Sequence, residues 1–333
     1  MEHKLKSKSI VEAGIMAAVI FILMMLTTLP GIGLLISFAV PIPVAILYLK
    51  YNLKTSICSV IVGGIIVGLF MGLIYGVQVI ITNGIIGTVL GICVKKGFTG
   101  IRSLVYLFLA NIIGTIVELS LLFSVFTGIT FNDSINQIVE VFHESANITE
   151  KLVGNMPNAN TQMLELMKSI DAEAIMTMVP LAVTMFIVIR ALLNFFVGKA
   201  ILKKMGFKLN SLPPFSNWFF NPIIVTAVVL VNMGVIFLTV KGFISNKGFV
   251  YTTQNILILM LLIQGASVLS NTLKNNFKMN GVIVGFIIAF LVTSSMALGI
   301  ALLGLIDVIF DIRGVDPDSF GTYLKGKIKS KLG

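Results

Sequence analysis

Four long apolar segments follow one another almost without interruption in the first hundred residues, and this block constrains the fold more than any other feature. The segments are residues 10–29, 32–49, 55–75 and 77–94, the last two separated by a turn near Gly76. Each is about as long as an α-helix that crosses a hydrocarbon layer of about 30 Å. The sequence therefore predicts a membrane bundle.

The distribution of charge supports this interpretation. Hydrophobic residues make up 57% of the 333 residues and charged residues only 11%, with a formal net charge of +10. The basic residues form short clusters between apolar segments instead of one continuous face. That pattern is typical of cytoplasmic loops of membrane proteins. We expect the lipid bilayer as the surrounding medium and no nucleic-acid partner.

Further apolar segments at 103–126, 174–202, 222–240 and 250–273 continue the pattern. When they alternate from a cytoplasmic amino terminus, the basic clusters fall on the inner side. The first segment is too long for a typical signal peptide and no small-residue cleavage site follows it, so we expect it to be the first span.

A final apolar run, residues 282–312, is long for one span. It crosses once, or it folds as a hairpin near Ser294 and Ser295, which we favour because the lysine-rich tail then lies inside. The predicted fold class is an all-α integral membrane protein, a polytopic helical bundle of 8–10 transmembrane helices.

Four parts are predicted along the chain: 1–127, a five-span bundle; 128–173, an extracytoplasmic helical insertion; 174–312, membrane helices; and 313–333, a basic cytoplasmic tail. The insertion is acidic where the inner loops are basic, so it should lie outside. Its apolar residues recur at helical spacing, which indicates two short amphipathic helices joined around Pro157. They cap the bundle or lie in the membrane interface.

Ionisable residues inside apolar segments are costly, so they mark candidate sites. Glu118 and Arg190 lie roughly 24 Å and 18 Å from the cytoplasmic ends of their helices, at 1.5 Å per residue. We expect them to pair, as a structural clamp or as a ligand-contacting pair. Four amides could line the same cavity or bond an adjacent helix: Gln78, Asn83, Asn111 and Asn194.

A second charged group comprises Asp307, Asp311 and Arg313, at the end of the last apolar run. An interfacial salt bridge to the lysine-rich tail is the simpler interpretation. Proton coupling is the alternative.

Small residues recur every fourth position at Gly64, Gly68 and Gly72, and again at Ala13 and Ala17. Such spacing lets another helix approach closely, either within the fold or from a partner protein. The opening Glu12-Ala13-Gly14-Ile15-Met16-Ala17-Ala18, followed by glycine-rich short helices, resembles the S components of energy-coupling factor transporters. The resemblance implies that Ala13 and Ala17 dock onto a membrane coupling subunit.

A second resemblance extends over nearly the whole chain. Leu212-Pro213-Pro214-Phe215 with Trp218 and Pro222, together with the ending from Leu305 to Arg313, is similar to the YybS family of bacterial membrane proteins. It implies a fold related to S components, and a location in the bacterial cytoplasmic membrane. Asn221 and Phe220 depart from the more variable or basic residues expected there.

Motifs for catalysis are missing from the sequence. It contains no phosphate-binding loop, and His3 and His143 lack the spacing of a metal site. We therefore expect no enzyme, cofactor or metal. Two functions remain open: a transport-type protein that binds a small solute and depends on an energising partner or ion gradient, and a scaffold for cell-envelope or signalling proteins, as in MreD-type proteins. A polar cavity around Glu118 and Arg190 would favour the first.

Overall fold

The computed structural model describes residues 2–121, 130–153, 161–244 and 248–315, and the regular structure in these ranges is helical. The predicted all-α class is therefore confirmed. In chain order the elements are α1 (Glu2–Leu26), α2 (Gly33–Ser37), α3 (Ile42–Lys50), α4 (Leu53–Met71), α5 (Leu73–Gln78), a π-helical segment (Val79–Asn83), α6 (Gly84–Lys95), α7 (Gly100–Leu121), α8 (Phe131–Val153), α9 (Thr161–Lys168), α10 (Ala172–Lys204), α11 (Pro222–Val240), α12 (Gly248–Asn275), α13 (Gly281–Thr293) and α14 (Ala297–Phe310).

Eight stretches of the described chain are long and apolar enough to cross a membrane. They match the eight predicted segments closely: Ser7–Leu26, Gly33–Lys50, Leu53–Met71, Leu73–Lys95, Gly100–Leu121, Ala172–Lys204, Pro222–Val240 and Gly248–Asn275. The chain is therefore a polytopic membrane protein, as the length and apolar composition of its segments predicted.

The last apolar run is divided between α13 and α14, whose axes are bent by 109°. The break falls at residues 294–296, where the Ser294 hydroxyl donates to the carbonyl oxygen of Leu291. The chain bends where a hairpin was predicted, and the hairpin with the tail on the inner side stays a prediction. A single straight span is excluded, and the pair forms either a ninth, broken span or a re-entrant element.

Gly72 separates the third span from the fourth, with a φ of +108° that favours glycine. The turn predicted near Gly76 is therefore misplaced by about one helical turn. Gly76 lies inside α5, where a β-carbon would come within 2.6 Å of the Gly64 carbonyl oxygen and 2.8 Å of the Gly68 α-carbon. Backbone contact between α4 and α5, not a turn, explains this glycine.

The chain divides into two compact units, and each is described by itself. The first comprises Met1–Ile175 and Val183–Leu212, and the second comprises Met176–Ala182 and Pro213–Gly333. In the first unit, one core is built on α3, α6, α7 and α10, with Phe195 and Leu107 fully buried. The predicted four-part division of the chain stays a prediction.

Packing of α1 on α4 organises the other core of the first unit. The Ser59 hydroxyl donates to the Ala13 carbonyl oxygen at 2.8 Å, and a β-carbon at Gly63 would lie 3.3 Å from the Ala17 carbonyl oxygen. Because residue numbers rise together along both helices, α1 and α4 run parallel. That is the direction expected of the first and third spans.

Basic residues collect at one end of the first unit. Lys50, which ends α3, pairs with Glu12 near the start of α1 at 3.2 Å. The Lys95 ammonium lies 5.1 Å from the centre of the Tyr48 ring, which brings the end of α6 to the same place. The first four spans thus alternate in direction.

Two amphipathic helices, α8 and α9, are present as predicted in the acidic segment, although α8 is longer than expected, and the predicted joint at Pro157 lies outside the described residues. The extracytoplasmic location of this segment stays a prediction. Lys168 and Glu150 pair at 2.6 Å across the two helices. Thr130 and Asp133 cap the start of α8 reciprocally: the Thr130 hydroxyl donates to the Asp133 carboxylate at 2.6 Å and accepts from the Asp133 N–H at 3.2 Å.

Candidate functional site: a polar layer in the first unit

Glu118 of α7 and Arg190 of α10 form a bidentate ion pair. The two guanidinium N–H groups donate to the two carboxylate oxygens at 3.0 Å and 3.2 Å. The side chains retain only 21% and 11% of their exposure. The pairing expected from their similar depth is therefore present. Planar, bidentate geometry of this kind fixes the orientation of both groups.

Gln78 extends the pair to a third helix. Its amide donates to Glu118 Oε1 at 3.1 Å, the oxygen that also accepts from Arg190. Gln78 is the last residue of α5, immediately before the π-helical segment Val79–Asn83. Single π-helical turns inside α-helices are rare and frequently occur at functional sites.

Thr82 and Asn83, both buried, belong to this π-helical segment. The Thr82 hydroxyl donates to the Gly114 carbonyl oxygen at 3.4 Å. A β-carbon at Gly114 would lie 2.7 Å from the Thr82 methyl carbon, so the glycine allows α7 to approach closely. Asn83 forms no hydrogen bond with Glu118 or Arg190 in the part of the chain that the structure describes.

Asn111 and Asn194 meet about two turns from the ion pair along α7. The Asn194 amide donates to Asn111 Oδ1 at 3.3 Å, and the Asn111 amide donates to the Leu107 carbonyl oxygen at 2.8 Å. Both side chains are buried. Of the six predicted binding residues, the structure joins Gln78, Glu118 and Arg190 in one cluster and Asn111 and Asn194 in another.

We call these groups together the polar layer. It comprises Gln78, Thr82, Asn83, Asn111, Thr115, Glu118, Arg190 and Asn194. On α7 its members recur at spacings of three and four residues, which places them on one face of the helix.

Two atoms of the polar layer lack partners. The Thr115 hydroxyl oxygen and the Asn194 amide oxygen are buried and form no hydrogen bond with the described residues. A buried polar atom without a partner costs free energy, which a water molecule or a ligand group offsets. The polar layer can therefore accept hydrogen bonds from a small polar molecule.

Two surface grooves of the first unit lie elsewhere and are almost wholly apolar. One, of about 370 Å³, is lined by residues of α4, of the π-helical segment and of α6. The other, of about 360 Å³, lies between α1 and α4. Neither is lined by a residue predicted to bind the solute.

The residues predicted to dock a partner are placed within the fold. Ala13 and Ala17 are buried, Ala13 accepting the hydrogen bond from α4 described above. Gly64 and Gly68 face Gly76 of α5, and Gly72 is exposed at the break between the two helices. Close packing within the chain accounts for the buried members, and docking onto a partner stays a prediction.

A second polar centre holds the second unit together around Arg313. Its side chain, 4% exposed, pairs with the fully buried Asp307 at 2.8 Å. It also donates to the carbonyl oxygens of Ser216 and Trp218 at 2.6 Å and 2.8 Å. Asp307 Oδ2 accepts from this guanidinium, while Asp307 Oδ1 is buried without a hydrogen-bond partner among the described residues. Asp307 and Arg313 are thus buried and not at an interface as predicted, and the predicted pairing with the lysine-rich tail lies outside the described residues.

Comparison with known families agrees with this architecture. Residues 16–308 match the family model DUF2232, whose description is "Predicted membrane protein". The chain belongs to this family. The match includes the polar layer and Asp307. No curated protein and no solved structure matches the chain significantly.

Sequence reasoning missed parts of both polar centres in this DUF2232 chain. Thr82 and Thr115 looked like ordinary helix residues, and only the approach of α7 to the π-helical segment brings them into the polar layer. Gln264 of α12 donates to Asp307 at 2.7 Å. Its position in the middle of an apolar segment was the available signal, since such amides seek partners on other helices.

Proposed function

We propose that this protein is a transport-type membrane protein whose polar layer binds a small polar solute. The observation that carries the proposal is the bidentate Glu118–Arg190 pair with Gln78, set in spans that are otherwise apolar. Charged groups at such positions are expensive and usually serve a function. The unpartnered Asn194 oxygen adds an acceptor for a solute donor.

Transport by such a protein requires an energy source, and we propose a separate energising membrane subunit, as the resemblance to S components implies. The amino terminus is proposed to be cytoplasmic in a bacterial cell membrane. The gathering of Lys50, Lys54 and Lys95 near one end of the first unit supports this orientation, since basic residues are retained inside.

Native mass spectrometry of the protein purified from its own membrane tests solute binding. The wild type should retain a small polar molecule, and Asn194→Ala should lose it. Asn232→Ala is the matched control, because Asn232 is a buried amide that donates to Thr253 in the second unit. A wild type without any small solute, or equal retention by all three proteins, contradicts the proposal.

A second function, a scaffold for cell-envelope or signalling proteins, is favoured by one observation. Helices α8 and α9 are not candidate spans, yet they expose Val141, Ile148 and Leu166 at 61%, 51% and 58%. Exposed apolar groups outside a membrane often mark a protein contact. Photocrosslinking from position 141 in cells should then yield one dominant partner, and only diffuse products if the scaffold function is wrong.

A further inference from the structure

The groove between α1 and α4 combines apolar walls with one cationic side chain, and it lies apart from the polar layer. We call it the α1–α4 groove. It encloses about 360 Å³ and is lined by Ser9, Ile10, Ala13, Gly14, Lys54, Thr55, Cys58, Ser59 and Val62. Its walls are almost entirely apolar, with one cationic side chain at one end.

Small side chains create this groove. Ala13 and Ser59 bring the two helices into contact, while Gly14 and Cys58 beside them are exposed. A β-carbon at Gly14 would meet no atom within 4 Å, so the space beside α1 is open. The groove is thus a consequence of the same small residues that let α1 and α4 pack closely.

Lys54 supplies the positive charge of the groove. The neighbouring Lys50 is neutralised by Glu12 at 3.2 Å. Lys54, in contrast, is exposed and forms no ion pair with any residue that the structure describes. It stands at the start of α4, near the end of the first unit where basic residues collect. An anionic group bound near Lys54 would form an ion pair with its ammonium group.

We propose that the α1–α4 groove binds an anionic phospholipid. The phosphate contacts Lys54, and an acyl chain lies along Gly14, Cys58 and Val62. Charge complementarity favours an anionic phospholipid over an apolar helix of another protein. The phosphate would form an ion pair with Lys54, whereas an apolar helix would bury the Lys54 ammonium without a partner. This inference does not depend on the proposed solute site.

The two native cysteines provide the measurement. Cys58 lines the groove and is exposed, whereas Cys93 is buried in the core of the same unit, so labelling of Cys93 reports unfolded protein. Full-length protein is reconstituted in nanodiscs of phosphatidylcholine alone or with phosphatidylglycerol. The readout is the rate of Cys58 alkylation by a membrane-permeant maleimide, as a ratio between the two lipids. Phosphatidylglycerol should slow the alkylation of Cys58 about fivefold, because one lysine strengthens binding to an anionic lipid by about that factor.

Three variants make the test specific. Lys54→Gln removes the charge, and Gly14→Leu places a side chain in the groove at a position where a β-carbon would meet no atom within 4 Å, so each should bring the ratio close to one. Lys96→Gln is the matched control, since it removes an exposed basic charge at the end of α6, outside the groove, and should leave the ratio unchanged.

Three results would overturn the proposal. The first is equal alkylation of wild-type Cys58 in both lipids. The second is a loss of protection in Lys96→Gln as large as in Lys54→Gln, which would indicate general surface attraction. The third is protection in native membranes but not in phosphatidylglycerol nanodiscs, which would assign the groove to a protein partner.

Discussion

Arg190 and Glu118 are joined by two hydrogen bonds of 3.0 Å and 3.2 Å, although the two residues lie 72 positions apart in the chain. Each residue alone would place a charge inside an apolar span. Together they satisfy each other, and Gln78 supplies a further donor to the carboxylate. The pair therefore fixes α5, α7 and α10 relative to one another.

Removing one partner of this pair should cost more stability than removing both. Arg190→Ala leaves Glu118 uncompensated and should lower the free energy of unfolding by about 3 kcal/mol. The double change with Glu118→Ala removes both charges and should lose clearly less. Denaturant unfolding in mixed micelles measures the two values. If the losses of Arg190→Ala and of Glu118→Ala, measured singly, add up to the loss of the double variant, the pair contributes no coupling energy.

Gly76 should not tolerate a side chain. Its β-carbon would lie 2.6 Å from the Gly64 carbonyl oxygen and 2.8 Å from the Gly68 α-carbon, which are backbone atoms that cannot rotate away. Gly76→Ala should therefore separate α4 from α5 and destabilise the protein by about 1–3 kcal/mol. Gly234→Ala in α11 is the control, because its β-carbon would meet nothing within 4 Å. Thermal unfolding checks both, and a similar response to the two substitutions would refute the close approach.

Arg313→Lys should loosen the segment that precedes α11. Lysine keeps the charge but lacks the fork that reaches both Asp307 and the carbonyl oxygens of Ser216 and Trp218. Losing a donor to a buried carbonyl costs about 1–3 kcal/mol. Limited proteolysis should cut residues 213–221 faster than in the wild type. Arg102→Lys, at an exposed arginine of α7, should leave the cleavage rate unchanged.

The start of α8 should respond to acid. The Thr130 hydroxyl and backbone N–H donate to the Asp133 carboxylate and hold its pKa below the usual value of 3.8. Because the pKa of Asp133 is lowered in the folded state, the cap contributes its full stabilisation of the folded state at pH values above the ordinary aspartate pKa. The stabilisation is lost as the pH falls through the lower, folded value. Hydrogen exchange of the first turn of α8 should accelerate over that range, after correction for the intrinsic rate. Asp133→Asn should show no such transition; a similar pH profile in both proteins would exclude the carboxylate as its source.

Length and apolarity allowed the spans to be predicted from sequence, because each span is a local property of about 20 consecutive residues. The break near Ser294 was also a local property, since the apolar run was long for one straight span. The turn near Gly76 was placed wrongly, because a glycine that packs against another helix looks the same in sequence as a glycine that ends one. Only the contacts of Gly64 and Gly68 distinguish the two.

The sequence by itself determined that this chain is a polytopic helical membrane protein, since transfer into lipid depends on the composition of each segment. It also indicated the Glu118–Arg190 pair, because their depths follow from helix rise. Tertiary structure alone decided that Arg313 turns inward to Asp307 and that Thr82 and Thr115 join the polar layer. Those outcomes depend on which helix faces which, and the free energy of a buried polar group depends on the partners that distant segments bring to it.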